Sequence, residues 1–356
     1  MYLCDEYKII FRILMKHIVF IMNPISGSAS KAAIPKLIEN RLDKSLFSYE
    51  IINTEYASHA SVIAKEAADR GVDIVVAIGG DGTVNEVGRA LVHTNTAMGI
   101  IPCGSGNGLA RHLQIPMDSG KAIQLLNLCE IHDLDYGVIN DRIFFCTCGM
   151  GFDAFISMKF SEAGKRGPIT YVENILKEGL KYKPETYEIE DETGKKHYKA
   201  FLVSVANASQ YGNNAYIAPQ ASMRDGLLDV IIMEPFDMLE APQISIDMFN
   251  KTLNKNSKIK TFKAKSIHIH RNKGQGLIHY DGEPTVTDDD VNIHIQEKGI
   301  KVVVNPHADK SIRRPNIMQS GLTEVFNDLL VVRTNLQRQG HRVNVLNKYI
   351  LRKLNR

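Results

Sequence analysis

The sequence predicts a chain in two parts: an α/β part built on a parallel sheet covered on both faces, then a part built on antiparallel β-structure, closed by an Arg-rich helical tail. Three observations carry this. Short apolar runs alternate with helix-like segments from His17 to about residue 133, the pattern of parallel strands joined by crossover helices. Near Asp133 the rhythm changes to short, β-rich, turn-punctuated segments, the mark of antiparallel structure. From His307 to the end, ten Lys/Arg stand against three Asp/Glu.

"KHIVFIMNP" reads as a strand that turns at Asn23-Pro24. "SASKAAIPKLIENRL" is helical, with Ser28 or Ser30 as its cap. "SYEIINTEY" is a second strand, and "SHASVIAKEAADRG" a second helix, capped by Ser58 and stopped by Gly71. "DIVVAIGG" is a third strand before the helix "TVNEVGRALVHT". "AMGIIPCGSGN" is a fourth strand, and "GLARHLQI" opens a fourth helix. Beyond Asp133, "DLDYGVINDRIFFCTCG", "KAFLVSVANAS", "LLDVIIME", "KSIHIHR", "GLIHYDGE", "VNIHIQ" and "IKVVVNP" read as β-structure, with helices at about 153–182 and 237–253. Residues 1–14, ahead of Met15, read as an extension outside the core or an early start.

A chain of 356 residues suffices for two domains of ordinary size, and 44% hydrophobic with 23% charged residues predicts a packed core. A net charge of +3 gives no nucleic-acid signature. The five cysteines are odd in number and irregular in spacing, which argues against a disulfide framework. Cys146 and Cys148 would share a strand face as buried thiols of a reducing compartment. No apolar run approaches the ~20 residues of a membrane span, and "ILMKHIVFIM" is broken by Lys16 and His17 without a small-residue cleavage site. These features predict a cytoplasmic chain.

One stretch asks for chemistry. Gly79, Gly80 and Gly82 bracket Asp81 at the end of the third strand, and ligands of parallel sheets bind beyond the carboxyl ends of strands. The helix that follows offers free N–H groups, which favour phosphate. An acid inside an anion site calls for a cation to hold or a proton to take from a reacting hydroxyl, both of which belong to phosphoryl transfer. "IIPCGSGNGLAR" repeats the design with Gly104, Ser105, Gly106, Asn107 and Gly108 before a helix, and "NPISGSASK", residues 23–31, adds a third loop. A tight turn explains any one of these loops, but three on one sheet edge form a cleft. Neither G-x-G-x-x-G nor G-x-x-x-x-G-K-[ST] follows these strands.

"NPISG", "GGDGTVNEV" and "PCGSGNGLAR", in this order, resemble the diacylglycerol-kinase catalytic domain, a family that includes bacterial lipid kinases and sphingosine kinases. "LDYGVINDRIFFCTCGMGFDA", "VANASQYGNNAYIAPQASMRDGLLDV" and "YDGEP" extend the likeness over about residues 15–306. The resemblance implies an ATP-dependent lipid kinase that uses Mg2+. It implies a three-layer α/β nucleotide-binding domain at 15–133, completed by 299–306, a β-sandwich-like lipid-substrate domain at 134–298, and an active site between them. The basic helical tail, 307–356, lies outside it. The implied partners are ATP, a lipid of diacylglycerol or sphingoid type, and peripheral contact with the inner face of the membrane. Edge strands of the β-rich part leave pairing into a homodimer open.

Carried over by position, Gly79, Gly80, Asp81, Gly82, Thr83 and Asn85 match the family's nucleotide loop, with Asn23, Thr54, Gly104, Ser105 and Asn107 beside it. Asp225 matches a magnesium-ligating aspartate, with the main-chain carbonyls of Ser222 and Leu227 as co-ligands. Glu283 matches the proton acceptor, with Asp81 as a second catalytic acid beside it, and Asp153 resembles an acid that contacts the lipid headgroup in sphingosine kinases. Diacylglycerol-type bacterial members often read G-T-x-N-D in the second loop. Here Ser105 replaces the threonine and Gly108 the acid, closer to the sphingosine-kinase version.

Two other readings remain open. "GGDGT" is shared with NAD kinases, which points to a dinucleotide kinase, and Gly108 favours a non-catalytic lipid-binding protein of the same fold. The basic tail reads either as a helix packed on the core or as a surface on anionic lipid, where each Lys or Arg contributes ~1 kcal/mol. Asp225-Gly226 and Asp281-Gly282 are turn signals in their own right. His268 and His270 would share a strand face, and with no further ligand beside them they read as solvated or packed across strands. Asp288-Asp289-Asp290 reads as a solvated turn, and Cys103 as a small buried residue.

Overall fold

Runs of β-branched and apolar residues form strands buried on both sides, as a helix-covered parallel sheet requires. In the computed structural model, residues 15–24, 31–162, 182–237 and 240–308 are described. The chain divides into a large unit, Met1–Lys165 with Tyr182–Arg314, and a small unit, Arg166–Lys181 with Pro315–Arg356. The small unit lies outside the described residues, as do residues 1–14, the loop 25–30 with Ser28 and Ser30, and the tail beyond 308.

The first half runs β1 (Lys16–Met22), a 3-10 turn (Lys31–Ala33), α1 (Ile34–Arg41), β2 (Phe47–Asn53), α2 (His59–Asp69), β3 (Ile74–Gly79), α3 (Asp81–Leu91), β4 (Ala97–Pro102), α4 (Gly108–His112) and α5 (Ser119–Leu126). The strands pair in parallel in the order β2-β1-β3-β4. Every residue of β3 and β4 is buried. Helix α1 packs on α5, and α2 on α3. Gly71 follows α2 at φ 75°, the left-handed stop expected of it. Ser58 does not cap α2: it sits at the cap position with φ 66° and its side chain makes no capping bond. Its amide donates instead to Glu86 Oε1 at 3.2 Å. Asp118 caps α5, accepting from the Lys121 amide at 2.8 Å.

The second half continues β5 (Ile131–Ile139), β6 (Arg142–Phe144), β7 (Thr147–Gly151), α6 (Phe152–Glu162), β8 (Glu185–Asp191), β9 (Gly194–Ala200), β10 (Leu202–Ala206), β11 (Leu228–Met233), α7 (Ala241–Phe249), β12 (Ile259–Ala264), β13 (Ser266–Arg271), β14 (Gly276–Tyr280), β15 (Glu283–Thr287) and β16 (Asp290–Val303). An antiparallel sheet runs β12-β11-β10-β7-β14-β15. Its inner face packs on strands β8, β13 and β16 through Met150, Val203, Val205, Ile269 and Ile293, which gives the sandwich. Part of the helix expected over 153–182 falls outside the described residues, and the one expected over 237–253 is shorter, Ala241–Phe249.

"VNIHIQ" and "IKVVVNP" form one strand rather than two. β16 pairs antiparallel with β13 at its start and parallel with β4 through Val302 and Met98 near its end, with a register shift between Gln296 and Ile300. The chain thus returns to the first sheet, which continues from β4 through β16 to β13, β8 and β9. The boundaries expected at 133/134 and 298/299 fall inside β5 and β16, two strands that pair with each other.

Candidate active site

β1 and β3 are neighbours, yet the chain leaves β1 for β2 on one side and comes back to β3 on the other. That makes the gap between them the switch point where ligands of such sheets bind. Across this gap the Asn23 side-chain nitrogen donates to Thr83 Oγ1 at 3.3 Å. The Lys31 ammonium bonds to the Asn23 carbonyl. Thr54, Thr83 and Asn85 are buried, and the Thr54 amide donates to the Met22 carbonyl at 2.9 Å.

The two glycine loops lock together. Gly80 caps α3 and Asp81 is its first residue. Asp81 Oδ2 accepts from the Asn107 amide at 2.9 Å, and Oδ1 from the Gly108 amide at 2.7 Å. Asn107, in the left-handed region at φ 52°, accepts from the Gly104 amide at 2.9 Å and donates to the Gly104 carbonyl at 2.7 Å. The Cys103 amide donates to the Gly79 carbonyl at 2.7 Å. A Cβ on Gly106 would stand 2.7 Å from Asp81 Oδ2, and one on Gly104 2.6 Å from the Gly80 Cα. Glycine is therefore required by close approach. Around Gly82, by contrast, no atom beyond its chain neighbours and its own helix backbone lies within 4 Å of where a Cβ would stand. Ser105 is exposed on the second loop.

This geometry corrects one step of the sequence argument. Two main-chain amides already meet the Asp81 carboxylate, so its charge does not by itself call for a cation. It also explains Gly108. A Cβ there would lie 3.2 Å from the Tyr211 carbonyl oxygen, part of a segment that closes over the second loop. In that segment the Asn213 amide donates to the Gly106 carbonyl at 3.1 Å. Arg111 joins in, with Nε donating to the Gly106 carbonyl at 2.9 Å and Nη1 to Asn214 Oδ1 at 3.3 Å.

Asp281-Gly282 turns β14 into β15 with φ of 49° and 82°, the two-residue hairpin its sequence predicts. The turn has a second purpose. The Asp281 carboxylate accepts from the amides of Phe145 and Cys146 at 2.7 Å and of Thr147 at 3.1 Å. Burial pushes its carboxyl up in pKa, and these amides oppose the shift. Glu283 Oε1 accepts from Arg89 Nη1 at 2.8 Å. Arg89 belongs to α3, the helix that begins at Asp81, so one helix joins the first glycine loop to this turn. Arg89 also donates from Nε to the Ile143 carbonyl at 3.2 Å and lies 5.0 Å from the Tyr280 ring centroid. Burial pushes the Cys146 thiol well up, helped by the charges of Asp281 and Asp81.

Asp153 opens α6 and is buried. Its Oδ2 accepts from the Tyr211 hydroxyl at 2.9 Å and lies 3.0 Å from His279 Nε2, without the alignment of a hydrogen bond. The Tyr211 hydroxyl is also 3.2 Å from Ser204 Oγ. Burial, and then Asp153, push the Tyr211 phenol well up, so it stays a neutral donor. Tyr211 thereby touches both the Gly108 corner and Asp153. Beside Asp153, Phe152, Phe155, Phe201 and Phe236 form an aromatic cluster with centroid spacings of 4.5 Å for Phe152–Phe201 and 4.7 Å for Phe201–Phe236.

Asp225 belongs to a different cluster. Its Oδ2 accepts from Lys263 Nζ at 2.9 Å and its Oδ1 from the Leu227 amide at 3.2 Å. Lys263 also binds Asp229 Oδ2 at 2.8 Å. Burial pushes the Asp229 carboxyl up, and Lys263 opposes this. Ser222 Oγ accepts from the Arg224 amide at 3.3 Å. The oxygen donors suit a hard cation, but the Lys263 ammonium already shares the Asp225 carboxylate.

Sequence reasoning passed over Arg89, Tyr211, Lys263 and His279, and took Asp281 only as a turn residue. Only Asp281 carried a signal, since it stands two residues before Glu283. Cys103, Cys129, Cys146 and Cys148 are free thiols. No helix among the described residues is long and apolar enough to cross a membrane.

Residues 17–139 match the model of the diacylglycerol kinase catalytic domain, and residues 146–309 that of the YegS C-terminal NAD kinase beta sandwich-like domain. A Streptococcus pneumoniae protein named as a lipid kinase is 28% identical over 260 residues, 72% of this chain and 87% of that one. A "Probable lipid kinase YegS-like" of Enterobacter sp. is 30% identical over 221 residues, 60% of this chain and 74% of that one. The crystal structure of a diacylglycerol kinase from Bacillus anthracis superposes with a TM-score of 0.64 at 22% identity, covering 82% of this chain and 97% of that one.

Proposed function

Because this chain belongs to the diacylglycerol-kinase catalytic domain family and carries the YegS-type C-terminal domain, we propose that it is an ATP-dependent kinase that transfers the γ-phosphate to a hydroxyl of a membrane lipid of diacylglycerol or sphingoid type. The lock of two glycine loops by Asp81, beside the switch point of the sheet, carries this reading. The amides at the start of α3 and the open side of Gly82 suit the phosphates of a nucleotide. Asp81 acts as the clamp that fixes the loops, and Asn23, Thr54, Thr83, Asn85, Gly104, Ser105 and Asn107 frame the nucleotide.

Glu283 accepts the proton of the attacking hydroxyl. Arg89 holds its carboxylate in position. Asp153 binds the polar head of the lipid, and the aromatic cluster beside it meets the apolar body. That pairing of a buried acid with aromatic surface favours a lipid over a dinucleotide. Asp225, with the carbonyls of Ser222 and Leu227, would hold Mg2+ once Lys263 yields its place. Magnesium bound with the nucleotide offsets phosphate charge. The lipid is reached from the water side by peripheral contact with a membrane surface.

The test is an assay with γ-labelled ATP, mixed lipid vesicles and NAD. Labelled lipid supports the proposal, labelled dinucleotide makes the chain an NAD kinase, and no label with either acceptor makes it a non-catalytic binder.

A further inference from the structure

A second group of ligating side chains lies on the polar face of β13 and β16. His268 and His270 alternate along β13 with the core residues Ile267 and Ile269, so their rings leave the same side of the sheet. Asp290 opens β16 directly opposite His270. His268 Nε2 and His270 Nδ1 both stand 3.0 Å from one oxygen, Asp290 Oδ1. Asp289 stands close by: His270, Asp289 and Asp290 each offer a ligand atom within 4.8 Å of the others, a set that His268 does not join. The neighbouring histidines were set aside in the sequence because no further ligand stood beside them in the chain. Strand pairing supplies it, twenty residues away.

Bonds of about 2.0–2.1 Å in a tetrahedral zinc site put ligand atoms about 3.3 Å apart, so the 3.0 Å contacts to Asp290 Oδ1 are of the right size, and the looser spacing of the other pairs requires their side chains to close in on an ion. Two imidazoles with carboxylates suit a borderline transition ion better than a hard one. Glu188 and Glu190 of β8 lie opposite His270 and His268, and Lys195 and His197 of β9 partly offset their charge. His268 also lines an open groove of about 510 Å³ with Glu190, Asn292 and His294, which gives an ion a way in from solvent.

We propose that His270, Asp289 and Asp290 form a site for a divalent transition-metal ion of the zinc class, with His268 turning in from beside Asp290 as fourth ligand. The ion fastens β13 to the antiparallel end of β16, the strand that runs on to β4. It is separate from the kinase chemistry.

The full chain, free of affinity tag and stripped with chelator, is titrated with ZnCl2 by calorimetry and with Co2+ by absorption. One saturable equivalent of zinc and the intense visible bands of four-coordinate cobalt are expected. His268→Gln and His270→Gln each weaken zinc binding at least about 10-fold, and the double variant abolishes it. His17→Gln leaves it unchanged, because that histidine lies in β1 and pairs with Glu50 of β2. Circular dichroism in chelator checks that each variant folds. Absence of saturable zinc binding, or binding retained by the folded double variant, overturns the proposal.

Discussion

Replacing Asp81 by Asn swaps one acceptor oxygen for a donor where two amides already point. The Asn oxygen can face the Asn107 amide or the Gly108 amide, now at 2.9 and 2.7 Å, but not both. One charge-assisted hydrogen bond is lost and an NH2 group meets an N–H, at a cost of about 1.5–3 kcal/mol. The start of α4 then separates from the start of α3, and the Asn107–Gly104 lock goes with it. Urea unfolding reads the stability term as a lower midpoint at unchanged slope. The lipid-kinase assay reads the second effect: a shift of about 1 Å in the phosphate-holding loops lowers turnover about 100-fold. A wild-type midpoint with near-normal turnover refutes the clamp. A wild-type midpoint with lost turnover shifts Asp81 from clamp to direct chemistry.

Gly108→Asp drives a side chain into the Tyr211 carbonyl, 3.2 Å from the first added atom, and lowers stability by about 1–3 kcal/mol in thermal melts. Glu283→Gln lowers kcat at least about 100-fold with KM for ATP unchanged, and Arg89→Lys, which keeps the charge without the fork, falls between it and wild type in steady-state kinetics. Lys263→Gln frees the Asp225 carboxylate and moves the Mg2+ titration of activity to lower concentration; an unmoved curve excludes Asp225 as a ligand. Burial pushes the His112 imidazole down to about 4, and its Nδ1 accepts from the Ser209 amide at 3.1 Å, a bond only the neutral ring makes. Its folded pKa lies below the unfolded ~6.5, so stability present above pH 6.5 is lost as pH falls toward 4, by about 2–3 kcal/mol at most. His112→Gln flattens that slope in unfolding curves taken across the range.

The sequence by itself determined what is local in the chain. The alternation of apolar runs and helix patterns marked β1 to β4, because a strand buried on both faces must be apolar throughout. The glycine clusters marked the loops, and at Gly104 and Gly106 close approach leaves no room for a Cβ. Asp281-Gly282 marked a hairpin, because its two left-handed residues are written in those two letters. Only the tertiary structure decided what those pieces face. Arg89 meets Glu283 across 194 residues of chain, and Lys263 meets Asp225 across 38. The Asp81 carboxylate finds amides rather than open space, and β16 runs unbroken through the join of the two halves, pairing with β5 on both sides of a register shift between Gln296 and Ile300. Pattern is set by neighbours along the chain, whereas the pairing of charges is set by which elements pack, and packing sums many weak contacts that no short stretch contains.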